Sequence, residues 1–389
     1  MAPDVSPRRA WAGLIVLSLT AFAFITTELL PIGVLTLIAP DLDRSRSQVG
    51  LLVSGYAVVV VLASIPLTRL TQQVPRRALL GVTMVVFAAA NAVAALASTY
   101  AVLAGARLVT ALAQALFWSV ASAAVTGPFP VAVRGRIVAL FSTGAALAPV
   151  IGVPLGTALG QQAGWRAAFA VLAAVGLAIA VAVLLLIPSY PPAAGGAARG
   201  TAPDRRRFAL LLAATALGVG GFLTLNTYVT PFVLDVSGFS TGALAPLLFA
   251  SGAAGVVGTI IAARTLDTRP IASLFAPLIV GAAALLGLYA FGALPTVTVV
   301  LLAGVGLGYA AFATAVQSRM LQLAPGSTDV ASAALSTVFN VGIAAGSVIG
   351  AALLPGPGPQ LLALVGALLA LAALGVLAVD VLTLQCKVR

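Results

Sequence analysis

The sequence predicts an all-α membrane protein in which twelve transmembrane helices form two pseudo-symmetric six-helix bundles. Three observations carry this prediction. Hydrophobic residues make up 61% of the 389-residue chain and charged residues 7%, with a mean hydropathy of +1.15. No soluble domain of that size could cover its surface with so few charges. The apolar stretches recur at the ~20-residue length that a hydrocarbon core ~30 Å thick requires of a helix. The few charges collect at the joints between stretches, which are also marked by Gly and Pro.

Taken in order, the predicted spans are 12–38, 48–72, 78–98, 101–125, 134–160, 166–188, 208–233, 241–263, 270–292, 296–321, 329–353 and 360–383. The first is too long for a signal peptide and has no cleavage site, so it reads as a retained span. Pro75-Arg76-Arg77 and Pro355-Gly356-Pro357-Gly358-Pro359 are typical short joints. The longest polar segment runs from Ser189 to Arg207. Its Pro191, Pro192, Gly195, Gly196 and Arg205-Arg206-Arg207 read as a flexible linker without structure of its own. The expected division is an N-terminal bundle over 1–188, a cytoplasmic linker over 189–207 and a C-terminal bundle over 208–389.

Charge placement sets the orientation. Of the 20 basic residues, Arg44, Arg46 and Arg166 fall on one side, Arg107 lies inside a span, and all the others fall on the opposite side. The positive-inside rule then puts both termini and the linker in the cytoplasm. In a soluble chain a net charge of +11 would suggest nucleic acid; distributed in this way it reads as topology, and no nucleic-acid partner is expected. Histidine is absent, which excludes histidine metal sites, catalytic triads and imidazole relays. Cys386 is the only cysteine and cannot form an internal disulfide. No cofactor or metal is implied, and a monomer is expected.

The two halves resemble one another. Thr27-Glu28-Leu29-Leu30-Pro31 in the first span has a counterpart in Thr227-Tyr228-Val229-Thr230-Pro231 of the seventh. Leu103-Ala104-Gly105 matches Leu302-Ala303-Gly304, and Gly152-Val153-Pro154-Leu155-Gly156 matches Gly346-Ser347-Val348-Ile349-Gly350. Each pair runs in the same direction across the bilayer. Such a parallel repeat suits two bundles that rock about a central site.

Glu28 is the only glutamate, and no other charge lies between Trp11 and Ala39. An acid embedded in a membrane is costly and is a functional-site candidate by default. Thr26, Thr27 and a backbone carbonyl freed by Pro31 make a polar notch around it. Arg107 is a second charge placed inside a span, at comparable depth by the ~1.5 Å rise per residue. Proton affinity depends on surroundings, so a conformational change that alters the separation of Glu28 and Arg107 would bind or release a proton. The alternative is a static ion pair that holds the bundle together. In the fifth span Gly144, Pro149, Gly152, Pro154 and Gly156 predict a kinked, closely packed helix with no catalytic side chain.

Thr27, Tyr56, Gln114, Phe117, Trp118, Asn226, Tyr228, Gln317 and Asn340 are candidates to line a cavity for a neutral polar ligand such as a sugar; each could equally make an interhelical hydrogen bond. Asp329 opens the eleventh span, either as a helix cap or as a cytoplasmic gate with Arg76 and Arg77. An embedded enzyme would need clustered acids, histidines or a nucleophile–base pair, which the chain lacks. A channel would favour rings of like groups over one lone acid.

These strings resemble the major facilitator superfamily, drug/proton antiporter-1 type, and most closely its bacterial sugar efflux transporters, which export arabinose and thiogalactosides. The resemblance rests on Thr26–Gly33, Gln73–Arg77, Ala115–Ser119, Gly152–Gly156 with Gly164-Trp165-Arg166, and Thr328–Val330 through Phe339–Gly342. It implies alternating access, export and proton antiport across the bacterial inner membrane, with Glu28 as the first-span acid and Arg107 as the fourth-span arginine. The stretch Gly144–Gly156 resembles the family's antiporter motif, although Ala148 replaces a usual glycine. Gln72 stands where an aspartate usually precedes the loop arginines, which shifts the expected gate to Arg76, Arg77 and Asp329. A multidrug or antibiotic (for example chloramphenicol-type) proton antiporter on the same scaffold is the alternative function.

Overall fold

The computed structural model describes residues 6–71, 74–129, 134–187, 202–266, 268–326, 328–356 and 358–388. Among these, fourteen α-helices supply twelve candidate membrane spans. They are α1 Pro7–Asp41, α2 Arg46–Leu70, α3 Arg76–Ala95, α4 Tyr100–Thr126, α5 Arg134–Leu147, α6 Val153–Ala163, α7 Trp165–Leu186, α8 Arg205–Asn226, α9 Val229–Asp235, α10 Leu244–Thr265, α11 Pro270–Phe291, α12 Pro295–Leu323, α13 Thr328–Leu353 and α14 Pro359–Val388. The fifth candidate span, Thr143–Ala163, runs through α5 and α6; the seventh is α8, Arg205–Asn226, which the short α9 follows. Residue 188 and the stretch 189–201 of the expected linker lie outside the described residues, as do the side chains of Asp329 and Cys386.

Two departures from straight spans follow from proline chemistry. The fifth span carries a π-helical turn at Ala148–Gly152 between its two halves. Pro149 and Pro154 each remove a backbone N–H there, and a π turn is one way to absorb the loss. The seventh span, expected as one helix over 208–233, breaks at Thr227 and Tyr228. Pro231 cannot donate to the carbonyl four residues back, which is that of Thr227. The chain tightens there instead, with Tyr228 N–H donating to Leu225 O at 2.9 Å.

The chain forms two compact units, Met1–Arg44 with Gly55–Gly195 and Ser45–Ser54 with Gly196–Arg389. In the first, α1 packs on α4, α5, α6 and α7, while α3 packs on α4 and α7. In the second, α8 packs on α12, α13 and α14, while α11 packs on α12 and α14. The same neighbours recur in the same order, as a parallel repeat requires.

Small residues set the closest approaches. A side chain on Gly144 would strike the Ser18 carbonyl, one on Gly152 would strike Thr26 and Phe22, and one on Gly156 would strike Leu30. The fifth span therefore lies directly on the helix that carries Glu28, with four-residue steps along both partners. In the second unit Gly342, Gly346 and Gly350 make the equivalent contacts with Val219, Gly220, Thr224 and Tyr228 on the seventh span.

The short segment Ser45–Ser54 is bonded into the second unit. Ser347 donates to the Gly50 carbonyl at 2.9 Å, Ser54 to the Ala344 carbonyl at 3.4 Å, and Arg46 pairs with Asp235. At the far end of α1, Asp41 accepts from Arg166 at 2.6 Å and from the Trp165 indole at 3.2 Å. Arg166 also donates to the Ala97 carbonyl at 2.7 Å, so one arginine ties together the ends of α1, α3 and α7.

Candidate functional site

The site begins with Pro31. Inside α1 it offers no N–H to the Thr27 carbonyl, which is left without its helical partner. Arg107 on α4 supplies the missing donor, with one terminal nitrogen bonding the Thr27 carbonyl and the other the Glu28 carbonyl at 2.8 Å. The guanidinium lies 4.5 Å from the centre of the Tyr56 ring. A buried cation is thus held by carbonyl dipoles and an aromatic face, and only its Nε lacks a partner. Arg107 is 1% exposed and Glu28 6%.

The Glu28 carboxylate bonds elsewhere. Gln114 lies two turns beyond Arg107 on the same face of α4, and its Nε2 donates to Glu28 Oε2 at 2.6 Å. The Tyr56 hydroxyl donates to Gln114 Oε1 at 2.7 Å. Glu28 and Arg107 share one cluster without forming an ion pair, since the two ion pairs found among the described residues are Arg46–Asp235 and Arg166–Asp41. The static-pair reading of these residues therefore has no geometric counterpart.

Around this core the Thr27 hydroxyl donates to Asn91 Oδ1 at 2.8 Å, and Asn91 Nδ2 donates to the Phe87 carbonyl at 2.9 Å. Sequence reasoning passed over Asn91. Its one signal was an amide alone in an otherwise apolar third span. Phe117 is fully buried in an aromatic cluster, stacked on Phe24 at 5.1 Å and edge-on to Trp118 at 5.2 Å, with Phe141 5.7 Å from Trp118. This cluster packs one helical turn from Gln114 and Glu28.

Tyr56 and Gln114, expected as cavity-lining groups, are thus engaged with the acid. The candidates of the second unit are dispersed. Tyr228 is fully buried, with its hydroxyl 3.1 Å from the Ser347 carbonyl and 3.4 Å from that of Ser47. Asn226 lines a cavity of about 10 Å³, room for one water, at the helix break with Thr230 and Ser251. Asn340 donates to the Ser336 carbonyl at 3.0 Å, and its buried Oδ1 has no partner. Gln317 is exposed. Arg76 and Arg77 are half-buried at the start of α3, and Arg76 Nε has no partner. Among the described residues no three His, Cys, Asp or Glu side chains gather as a metal site would need.

The sequence profile of the Major Facilitator Superfamily matches residues 16–347, most of the chain. The chain belongs to the Major Facilitator Superfamily. This superfamily protein is a multi-pass membrane transporter and not an enzyme. Its fold is similar to the crystal structure of the human organic anion transporter MFSD10 (TETRAN), with a TM-score of 0.68 and 16% identity over 96% of this chain and 100% of that one. It is equally similar to an inward-facing, unoccupied bacterial homologue of the human lysosomal transporter Spinster, with a TM-score of 0.68 and 16% identity over 96% and 95% of the two chains. At such identities the likeness concerns the fold.

Proposed function

We propose that this transporter exports small hydroxylated solutes, such as sugars, in exchange for protons by alternating access, as a drug/proton antiporter-1 type protein of a bacterial inner membrane. In this reading it works as a monomer of two six-helix bundles, 1–188 and 208–389, joined by a cytoplasmic linker over 189–207, with both termini inside. The observation that carries the reading is a buried carboxylate bonded to a neutral amide and not to the cation beside it. A carboxylate locked onto a guanidinium would lose that pairing on protonation. An amide can donate to the anion or accept from the acid, so the same neighbour serves both forms. Arg107 is anchored on backbone carbonyls and keeps its place in either state.

A proton arriving from outside and a substrate arriving from the cytoplasm then stabilise opposite members of a pair of conformations, which couples their movements. Asn340 suits substrate recognition because its Oδ1 is an acceptor waiting for an O–H or N–H donor. Asn226 supplies a second amide beside the broken helix. The half-exposed Trp118, at the edge of the aromatic cluster, favours a flat or apolar cargo as the second reading, that of a drug antiporter. The gating role of Arg76, Arg77 and Asp329 belongs to the same proposal.

The test is transport by the purified protein in lipid vesicles with an imposed pH gradient, using labelled arabinose, a thiogalactoside and a panel of cationic drugs. Wild type should accumulate one cargo class uphill. Glu28→Gln keeps the size and removes titration, so uphill transport should fall to background while exchange without a gradient persists. Gradient-driven transport at wild-type rates by that variant would remove Glu28 from the coupling. Asn340→Ala should raise the Kd for the transported solute about tenfold, the loss of one good hydrogen bond. An unchanged Kd would make Asn340 a structural residue.

A further inference from the structure

We propose that Gln114 is a reversible amide switch that reports the protonation of Glu28 to Tyr56. The inference rests on the proton-exchange reading of Glu28 and adds two positioning residues to it. Three side chains on three helices form one directed chain: Tyr56 on α2 donates to Gln114 on α4, which donates to Glu28 on α1. In this arrangement the phenol donates to Gln114 Oε1 and Gln114 Nε2 donates to Glu28 Oε2, so Oε2 carries no proton; a phenol can also accept, which leaves the reverse arrangement open to the same three groups.

Protonation of Glu28 at Oε2, the oxygen that accepts from Gln114, breaks this polarity. A proton on Oε2 would set O–H against N–H, donor against donor. Within the protein Gln114 is the side-chain partner of Glu28, so the new O–H gains an acceptor when the amide turns over about its last side-chain bond. Oε1 then accepts from Glu28, and Nε2 donates to the Tyr56 oxygen. The proton count balances: one proton enters on Glu28, none leaves, and the Tyr56 O–H is released from its former acceptor and reoriented. The signal thus crosses from α1 to α2 without any charge moving between them.

The geometry favours rotation over repacking. Tyr56 is fully buried and its ring is pinned beneath Arg107 at 4.5 Å, so the ring stays while its hydroxyl hydrogen turns. Ala111, one turn before Gln114, packs with Tyr56, Val60 and Ala115, so the α4 face between the amide and α2 carries small side chains. The titratable and charged groups facing Glu28 are Arg107 and Tyr56. From Ile137 onward, α5, α6 and α7 present α1 with only Arg166, which is held by Asp41 at the far end.

Infrared difference spectroscopy of the full-length protein in lipid, between acid and alkaline pH, tests this. A protonated-carboxyl band absent from Glu28→Gln and a tyrosine band absent from Tyr56→Phe identify the two reporters. In the wild type both bands should titrate with one midpoint. The tyrosine response should vanish in Glu28→Gln and fall at least fivefold in Gln114→Leu, where the carboxyl band should persist at a shifted frequency. If Gln114→Leu does not fold, Gln114→Asn, which is too short to reach both partners, should give the same loss. A carboxyl band that titrates while the tyrosine band stays silent would overturn the switch and leave proton exchange standing. A tyrosine response that survives loss of the Gln114 amide would also overturn it. If no Glu28 carboxyl band forms at any pH, the proton-exchange reading itself falls.

Discussion

The first and seventh spans meet the same problem and solve it differently. Each places a proline four residues after a threonine, Thr27 with Pro31 and Thr227 with Pro231. In both, the threonine carbonyl loses its helical donor. α1 nevertheless runs unbroken from Pro7 to Asp41, because Arg107 supplies the missing hydrogen bond. The seventh span instead stops at Asn226 and resumes at Val229, and the buried Thr227 hydroxyl has no partner. Aligning Leu103-Ala104-Gly105 with Leu302-Ala303-Gly304 puts Gly306 where the first unit has Arg107. Gly306 has no side chain to donate, and it lies against the Ser251 carbonyl. One repeat thus fills the proline gap with a cation and holds a buried acid beside it. The other leaves the gap open as a break, with a water-sized cavity beside it.

The largest effect should come from removing the repair. Arg107→Met leaves a buried carbonyl unpaired, and stability should fall by about 1–3 kcal/mol. Thermal unfolding of the purified variant would show it, with faster amide exchange around residues 27–31. Adding Pro31→Ala restores the backbone bond, and most of the loss should return in the double variant. If the two losses simply add, the arginine is not compensating for the proline. A smaller effect should follow at the other repeat. Pro231→Ala supplies the missing N–H, so α8 and α9 should join into one helix. Slower amide exchange at 227–231 and a gain of up to about 1 kcal/mol are expected. Exchange unchanged from wild type would mean that tertiary packing, and not the proline, sets the break. The smallest effect should come from Arg46→Ala. Its pair with Asp235 is about 40% exposed on both sides, and such pairs contribute about 1 kcal/mol or less, diminished further by salt. A loss above 2 kcal/mol would show that the segment Ser45–Ser54 depends on that pair.

Much of the fold was legible because a bilayer imposes lengths. A chain with 61% hydrophobic residues and most of its few charges at its joints has few other ways to bury its backbone, and the twelve spans follow. The candidate acid was legible for a related reason: a single glutamate in a long apolar run stands out against the cost of burying it. The importance of Pro31 was legible as well, since the missing N–H is a property of the residue itself.

Partner choice was not legible. The sequence set Glu28 and Arg107 at similar depth, but only the packed helices show Arg107 turning to two carbonyls and Glu28 to Gln114. Depth along a helix is one coordinate, whereas a hydrogen bond also requires rotation about the axis and the stacking of neighbouring helices. Those are set by glycines such as Gly144, Gly152 and Gly156, whose spacing promises close contact without naming the surface they touch. For the same reason the matched prolines gave no warning that one helix would continue and the other break. That outcome depends on whether a donor stands across the interface, and interfaces are made by the tertiary fold.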